Sequence, residues 1–392
     1  MRLTSKNKTG IVCALGAAQT IAWASSYYLP AVLAIPMARD MKISPVWVFT
    51  AFSAAMVLSA LAGPWSGARI DRLGGRETLM SSNLIFAVGL CLLGVSSGKF
   101  GLFAAWSLLG VGMGIGLYDS AFATLTAIHK HEARTSITGI TLFAGFASTV
   151  GWPLSALMET QFGWRGACFG WAALHFCLAL PLNALLPQGT HARAKPESTE
   201  KTTALTFGPE SLQMVLLGFV FAITWFNSAA MAVHLPRLLE ATGTTSVAAV
   251  AAGALIGPAQ VGARIVEFTL LRKVNPLTSS RVAVLAHPLG AAILMIAGGP
   301  AAAIFTILHG GGNGILTIVK GTLPLTLFGP VGYGLRQGII SFPARVLQAF
   351  APLLFGFVLE LYGRNAIWLT CTLSILAFAA LMVLRVSDKP EK

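Results

Sequence analysis

The chain has 392 residues, of which 55% are hydrophobic and only 10% are Asp, Glu, Lys or Arg. Its mean hydropathy is +0.74. Too little of the surface could be polar to solvate a fold of this length in water, so a soluble class is excluded. The formal net charge of +13 would suit a nucleic-acid partner only if the cations formed one basic surface.

The chain divides into about twelve apolar stretches long enough to cross a bilayer, which takes about 20 residues per helix. We therefore predict an all-α membrane protein with twelve transmembrane helices. The predicted spans are 10–35, 46–68, 78–97, 100–128, 137–159, 166–187, 211–238, 246–268, 281–298, 300–327, 338–360 and 365–385.

The first span carries polar and aromatic residues at Gln19, Trp23, Ser26 and Tyr27. Aromatic rings beside a few hydrogen-bonding groups are typical of a small-molecule site. Trp23 lies deep in the span, which favours a cavity. Tyr27 approaches the outer boundary, where an interfacial aromatic belt is the alternative.

The loop between the second and third spans reads Gly67-Ala68-Arg69-Ile70-Asp71-Arg72-Leu73-Gly74-Gly75-Arg76. Its glycines let two helices meet at a tight turn. Asp71 stands where a carboxylate can cap a helix N-terminus or pair with an arginine. Arg72 and Arg76 either take part in such contacts or only fix the orientation of the chain in the membrane.

A similar segment, Gly262-Ala263-Arg264-Ile265-Val266-Glu267, returns about half a chain later between two apolar stretches. Such an internal repeat indicates that one half of the chain resembles the other. In a membrane protein, two similar halves favour a transporter with its site at their interface. The seventh span adds Trp225, Asn227 and Ser228, and Trp23 and Ser26 align with Trp225 and Ser228.

Asp119 lies inside the predicted fourth span and Lys320 inside the predicted tenth. Each costs roughly 2.5–3.5 kcal/mol on insertion scales. Asp119 could carry a proton under the influence of Lys320, the two could form a salt bridge that closes a cavity, or Lys320 could bind the carboxylate of an anionic substrate. In the alternative without a transport role, Lys320 snorkels to the interface and Asp119 caps a local kink.

The cations are distributed unevenly when the loops are assigned alternately to the two sides of the membrane. Most of the 27 Lys and Arg fall on the side of the N-terminus, so both termini are predicted to be cytoplasmic. The basic charge is therefore topological, and no nucleic-acid partner is expected. Arg345, early in the eleventh span, is a further candidate for a role in transport.

The only long polar segment, 188–210, reads as a cytoplasmic linker. It divides the chain into an N-terminal bundle, 1–187, and a C-terminal bundle, 211–392. The sequence has no Ser-His-Asp order, nucleotide motif or redox pair, so we expect neither enzyme activity nor a cofactor. We expect no metal site either, because the histidines are scattered over different spans.

The segment from Gly67 to Arg76 resembles the loop 2–3 signature of the major facilitator superfamily, Gly-x-x-x-Asp-Arg-x-Gly-Arg-Arg, with Gly75 in place of the first basic residue after the glycine. The resemblance implies two pseudo-symmetric six-helix bundles that rock about a central cavity lined by the first, fourth, seventh and tenth spans. It also implies that Asp71 pairs with an arginine near the eleventh span, for which Arg336 is the candidate. The stretches 23–30 and 314–329 look like bacterial permeases of the monocarboxylate-porter-like sort.

We therefore predict a monomeric secondary active transporter of the bacterial cytoplasmic membrane. It would move one small solute, with an organic anion as one candidate, by alternating access coupled to protons. Efflux of a toxic compound or an arsenical is the alternative within transport. A non-transporting membrane sensor is the alternative from another class, although the chain offers no sizeable soluble output domain.

Overall fold

The computed structural model describes residues 3–188 and 209–385 of the chain, and these residues form helices joined by short turns. Nine stretches within the described ranges are long and apolar enough to cross a membrane. Two of these stretches contain several predicted spans: Gly98–Ala184 covers the fourth to the sixth, and Tyr333–Val383 covers the last two. The predicted linker lies almost entirely outside the described residues.

The described residues group into two compact units. The first holds residues 3–188 together with Pro330–Ile339, and the second holds residues 209–329 and 340–385. The predicted boundaries of the two bundles stay a prediction.

The first unit is built from nine α-helices. They are α1 (Lys8–Ser25), α2 (Leu29–Asp40), α3 (Pro45–Leu73), α4 (Gly75–Val95), α5 (Gly98–Gly116), α6 (Tyr118–His129), α7 (Ala133–Ala144), α8 (Ala147–Leu174) and α9 (Leu180–Ala184). A π-helical turn, His175–Ala179, joins α8 to α9. Gly163, with φ 69°, breaks α8 into two helical pieces, because glycine adopts this left-handed conformation without a steric cost.

The second unit contains most of the remaining helices. They are α10 (Pro209–Ala241), α11 (Ser246–Gly253), α12 (Ile256–Thr269), α13 (Pro276–Ala297), α14 (Ala302–Phe328), α15 (Tyr333–Tyr362) and α16 (Ile367–Val383). The first turns of α15, up to Ile339, group with the first unit.

Several predicted spans are interrupted rather than continuous. The first span consists of α1 and α2, since Pro30 starts a new helix where its missing N–H is not needed. The fourth span is broken at Leu117, between α5 and α6. The eighth is broken between Gly253 and Ile256. Broken helices inside a membrane protein are tolerated where the freed backbone groups find other partners.

Large apolar side chains lie on the outside of both units. Phe100 is 90% exposed and Ile296 is 88% exposed. Exposed large apolar side chains of this kind suit contact with lipid. The interior is packed through small residues: a Cβ at Gly110 would lie 2.4 Å from the carbonyl oxygen of Ala55, which brings the backbones of α5 and α3 close together.

Candidate functional site

The break in the fourth span is the centre of the candidate site in the first unit. Helix α5 ends at Gly116, Leu117 is extended (φ −84°, ψ −167°), and α6 begins at Tyr118. The break frees backbone groups that an unbroken helix would pair internally. Gln19 of α1 donates from Nε2 to the carbonyl oxygen of Gly116 at 2.6 Å, so a predicted binding residue holds the break in place.

Asp119 lies in the first turn of α6 and is 5% exposed. The N-terminal end of a helix favours a carboxylate there, because the free N–H groups and the helix dipole present positive charge. Gln337, at the start of α15, donates from Nε2 to Oδ1 of Asp119 at 3.0 Å. A buried carboxylate within a membrane span is a functional-site hypothesis by default.

Aromatic rings surround this position. The ring centroid of Trp23 lies 4.9 Å from that of Tyr118 and 5.3 Å from that of Tyr27. Tyr27 in turn contacts Phe52 of α3 at 5.6 Å. The first span therefore meets the break both through Gln19 and through an aromatic cluster. Ser26 does not join this cluster; its hydroxyl donates to the carbonyl oxygen of Ala22.

Two buried polar atoms on α1 have no hydrogen-bond partner among the described residues: the acceptor Oε1 of Gln19 and the donor Nε1 of Trp23. The two residues stand one helical turn apart, so they share a face of α1. Buried polar atoms are nearly always paired, and each exception calls for an explanation. A ligand group that both donates and accepts a hydrogen bond would satisfy both.

The predicted residues of the second unit include one pair, Lys320 with Trp225, and two neighbouring polar residues, Asn227 and Ser228. Lys320, which is 5% exposed, places Nζ 5.1 Å from the ring centroid of Trp225, an arrangement in which the ring attracts the ammonium group. Asn227 donates to the carbonyl oxygen of Thr370 at 3.1 Å and to Oγ of Ser374 at 2.9 Å.

Ser228 accepts a hydrogen bond at 3.0 Å from Nδ2 of Asn313. It therefore belongs with Asn227 to the polar interior between helices α10, α14 and α16. Arg345 is also buried in this unit, at 6% exposure.

Asp71, at the end of α3, caps the N-terminus of α15. Its Oδ1 accepts from the backbone N–H of Gly334 and its Oδ2 from that of Leu335, both at 2.9 Å. A carboxylate at a helix N-terminus satisfies donors that have no partner within the helix. Arg336 donates to the carbonyl oxygen of Val331 at 2.7 Å, and its pairing with Asp71 stays a prediction.

The two loop arginines differ. Arg72 lies exposed in the last turn of α3. Arg76 is partly buried, and its Nε and Nη1 atoms have no hydrogen-bond partner among the described residues. The roles of both arginines, in helix contacts or in fixing the orientation of the chain, stay predictions.

Sequence reasoning missed several residues of these sites. Gln337 gave a weak signal as a polar residue directly before the predicted eleventh span, next to Arg336. Tyr118 and Ser66 gave none, although Ser66 Oγ lies 2.9 Å from Oγ of Ser120. Glu267 is 2% exposed and accepts from Ser279 at 3.2 Å; its charge inside the eighth span could have singled it out.

The chain combines membrane-length helices with a broken span and a buried carboxylate. It also matches the model of a protein family. The model of the Major Facilitator Superfamily matches residues 15–319. The chain belongs to the major facilitator superfamily. This confirms the resemblance of the loop signature and the all-α membrane fold, while the narrower resemblance to monocarboxylate-porter-like permeases stays a prediction.

One similar protein matches part of the chain. The multidrug resistance protein fnx1 of Schizosaccharomyces pombe is 25% identical over 179 residues, which are 45% of this chain and 32% of that protein. The chain thus matches about a third of that relative's length.

Solved transporter structures match nearly the whole chain. The proton:xylose symporter XylE has a TM-score of 0.77 at 12% identity, covering 97% of this chain and 96% of that one. The E. coli fucose:proton symporter FucP has a TM-score of 0.71 at 13% identity, covering 94% and 97%. The human organic anion transporter MFSD10 (TETRAN) has a TM-score of 0.69 at 16% identity, covering 96% and 99%.

At such low identities these structures establish the fold alone. Together with the family match, they make the protein a multi-pass membrane transporter of this superfamily and not an enzyme.

Proposed function

We propose that this superfamily member is a secondary active transporter that moves one small solute by alternating access and couples this movement to protons through Asp119. The observation that carries the proposal is the position of Asp119, a buried carboxylate at the break between α5 and α6. Discontinuous helices form substrate and ion sites in many transporters.

Proton coupling requires a group that exists in a charged and a neutral form inside the protein. A carboxylate at a helix N-terminus meets this requirement, since the free N–H groups of α6 stabilise its charge and burial favours its neutral form. The amide of Gln337 at 3.0 Å contacts the same carboxylate. Because Gln337 lies on α15, a change in the charge of Asp119 would act directly on a second helix.

The solute is proposed to bind beside this carboxylate. Oε1 of Gln19 and Nε1 of Trp23 supply an acceptor and a donor on one face of α1, and the rings of Trp23, Tyr27 and Tyr118 supply apolar surface. Such a site suits a small molecule with a hydroxyl or a carboxyl group. Within the second unit, Lys320, over the ring of Trp225, is proposed as a separate group that binds the carboxylate of an organic anion.

Gating is proposed to depend on the contact between α3 and α15. The two hydrogen bonds from the start of α15 to Asp71 would form in one state and break in the other, as a switching contact requires. Arg72, Arg76, Arg336 and Arg345 are proposed to stabilise one of the two states.

Flux into proteoliposomes tests the proposal. Small neutral polyols, small carboxylates, amphipathic drugs and arsenite would be screened with and without an imposed pH gradient. The variants compared are the wild type, Asp119→Asn and the surface control Asp40→Asn, whose carboxylate pairs with Arg165 at 2.8 Å. We expect one solute class to respond to the gradient in the wild type and in Asp40→Asn but not in Asp119→Asn.

Each other outcome has a definite meaning. Gradient-dependent flux that Asp119→Asn retains would remove Asp119 from the mechanism. Flux of drugs or arsenite alone would select the efflux alternative. No flux of any solute would favour a sensor.

A further inference from the structure

Each unit contains a buried histidine network, and the two networks occupy related positions in the repeat. In the first unit, His175 lies between Ser25 of α1 and Asn83 of α4. In the second, His287 of α13 lies close to Asn227 of α10, and Asn227 aligns with Ser25 when Trp23 is aligned with Trp225. The first network has partners for both ring nitrogens, whereas the second includes an acceptor, Oδ1 of Asn227, without a partner among the described residues.

The network of the first unit is closed. Nδ1 of His175 lies 2.9 Å from Oδ1 of Asn83, and Nε2 lies 2.7 Å from Oγ of Ser25. Asn83 uses its Nδ2 donor on the carbonyl oxygen of Leu79, so its Oδ1 accepts from His175. The Ser25 hydroxyl lies 2.7 Å from Nε2 but 3.4 Å from the carbonyl oxygen of Ala22, so we assign its proton to Nε2. Both ring nitrogens are then hydrogen-bonded in a neutral imidazole, and the role of His175 is structural.

The network of the second unit starts from two histidines that face each other. Nδ1 of His287 lies 2.9 Å from Nδ1 of His309, so one of the two must donate. Nε2 of His287 lies 2.9 Å from Oγ1 of Thr370, and that hydroxyl donates to the carbonyl oxygen of Ile367 at 2.8 Å. We assign the single hydroxyl proton to the bond with Ile367, whose carbonyl oxygen can only accept, so Nε2 of His287 is the donor to Thr370.

This assignment, which follows from the hydrogen-bond network, determines which nitrogen of each ring carries a proton. His287 carries its proton on Nε2, so its Nδ1 accepts from Nδ1–H of His309. Nε2 of His309 is then left with a lone pair and has no hydrogen-bond partner among the described residues.

A small cavity adjoins this network. Its volume of about 20 Å³ is enough for about one water molecule. It is lined by Thr224, Asn227, Ala283, Val284, His287, His309, Asn313, Leu316 and Ser374.

Asn227 provides a second hydrogen-bond acceptor beside the cavity. Its Nδ2 donates to Thr370 and Ser374, which leaves Oδ1 buried without a partner in the described part of the chain; the residue is 4% exposed. The space is therefore lined by two residues that each have an unused acceptor, Asn227 and His309. A cavity lined by such acceptors binds a hydrogen-bond donor.

We propose that the His287–His309 pair and Asn227 form a hydrated proton-binding site in the second unit. A hydronium ion entering the cavity transfers its proton to Nε2 of His309 and leaves a water molecule behind. The new N–H then donates, through that water, toward Oδ1 of Asn227. The charged ring keeps its hydrogen bond to Nδ1 of His287, which is strengthened by the charge.

No carboxylate of the described residues lines the cavity to balance the positive charge of a protonated His309. The charged or titratable residues on the helices packed around the cavity, apart from the histidine pair, are Glu210, His234, Arg237, Glu240, Arg264, Glu267, Arg281, Lys320 and Cys371. None of these lines the cavity. The proton is therefore held by hydrogen bonds and hydration rather than by a carboxylate, which distinguishes the site from that of Asp119. The inference deepens the proposed proton coupling and rests on it for its role in transport, but not for its chemistry.

Nitrogen NMR of the protein labelled with ¹⁵N-histidine in lipid nanodiscs tests the proposal directly. The ring resonances would be followed from about pH 8 down to the lowest pH at which the protein stays folded. The variants His309→Gln and His175→Gln assign the resonances. We expect the resonance absent from His309→Gln to change from neutral imidazole to imidazolium while that of His175 stays neutral.

A His309 ring that stays neutral over the whole range, or one that becomes charged only together with His175, would overturn the proposal. If His309→Gln does not fold, His309→Asn or His287→Gln serves for the assignment, and the titration of the wild type remains decisive. Parallel flux assays keep the two proposals apart. A titrating His309 without gradient-dependent flux would refute the proton coupling alone, and gradient-dependent flux with a neutral His309 would refute this site alone.

Discussion

The ends of α3 and α12 have similar sequences but make different contacts. At Gly67, a Cβ would stand 1.9 Å from the carbonyl oxygen of Gly334, so α3 and the start of α15 touch through their backbones. At Gly262, the counterpart in the repeat, no described atom lies within 4 Å of such a Cβ, and the same is true of Gly257. The acidic residues differ as well: Asp71 caps a helix, while Glu267 is buried beside Ser279.

The glycines of α5 and α14 behave in the opposite way. A Cβ at Gly110 would lie 2.4 Å from the carbonyl oxygen of Ala55, and one at Gly314 would lie 2.5 Å from that of Gln260. These two close packings, α5 on α3 and α14 on α12, repeat in both units. A repeated sequence therefore predicts the helices of the second unit, but it does not predict which contacts each copy makes.

The largest expected effect separates the two copies of the motif. Gly67→Ala forces a methyl group into the backbone of α15, and we expect it to lower the free energy of unfolding by about 3 kcal/mol, at the upper end of overpacking. Gly262→Ala adds a methyl group in open space, so we expect stability to be unchanged or slightly raised through helix propensity. Thermal unfolding of both variants in detergent measures the difference, and equal losses would show that the two copies pack alike.

The second expected effect concerns the packing that both units share. Gly110→Ala and Gly314→Ala each push a methyl group against the backbone of a neighbouring helix. We expect both to lower the free energy of unfolding by about 2 kcal/mol. A loss of stability for only one of the two variants, in the same unfolding assay, would mean that this packing does not stabilise both units.

A smaller effect is expected for the helix cap. Asp71→Ala removes both acceptors of the α15 N-terminus and should lower the free energy of unfolding by about 1 kcal/mol. Asp71→Asn keeps one oxygen acceptor and should lose about half as much. The unfolding midpoints of the two variants check this order, and an Asn variant as unstable as the Ala variant would indicate that the negative charge, rather than the hydrogen bonds, stabilises the contact.

The smallest expected effect concerns the aligned tryptophans. Trp23 packs among tyrosines, whereas Trp225 lies under the ammonium of Lys320. Trp225→Phe leaves a weaker aromatic face and should destabilise the protein by about 0.5 kcal/mol. Trp225→Leu, which removes the face, should cost more. Equal unfolding midpoints for wild type, Phe and Leu variants would exclude a stabilising contact with Lys320.

The sequence predicts the class of fold because composition and apolar stretches determine where helices cross a membrane. It also identifies Asp71, Asp119, Gln19 and Trp23 as candidates, since polar and charged residues are conspicuous in such stretches. The roles that depend on distant partners could not be predicted.

The break at Leu117 illustrates this limit, because it has no proline and its stabilisation comes from Gln19, roughly a hundred residues away in the chain. Gln337 and the facing pair of His287 and His309 were missed for the same reason. Each residue alone is an ordinary polar group, and only the fold places it beside its partner.

The most direct test of proton coupling through Asp119 follows proton movement driven by the solute itself. Once the transported solute is known, it is added to weakly buffered proteoliposomes without an imposed pH gradient, and the external pH is recorded. We predict a pH change that tracks solute uptake in the wild type and in Asp40→Asn and that is absent in Asp119→Asn. Solute uptake by the wild type without any pH change, or an equal pH change in Asp119→Asn, would contradict the account.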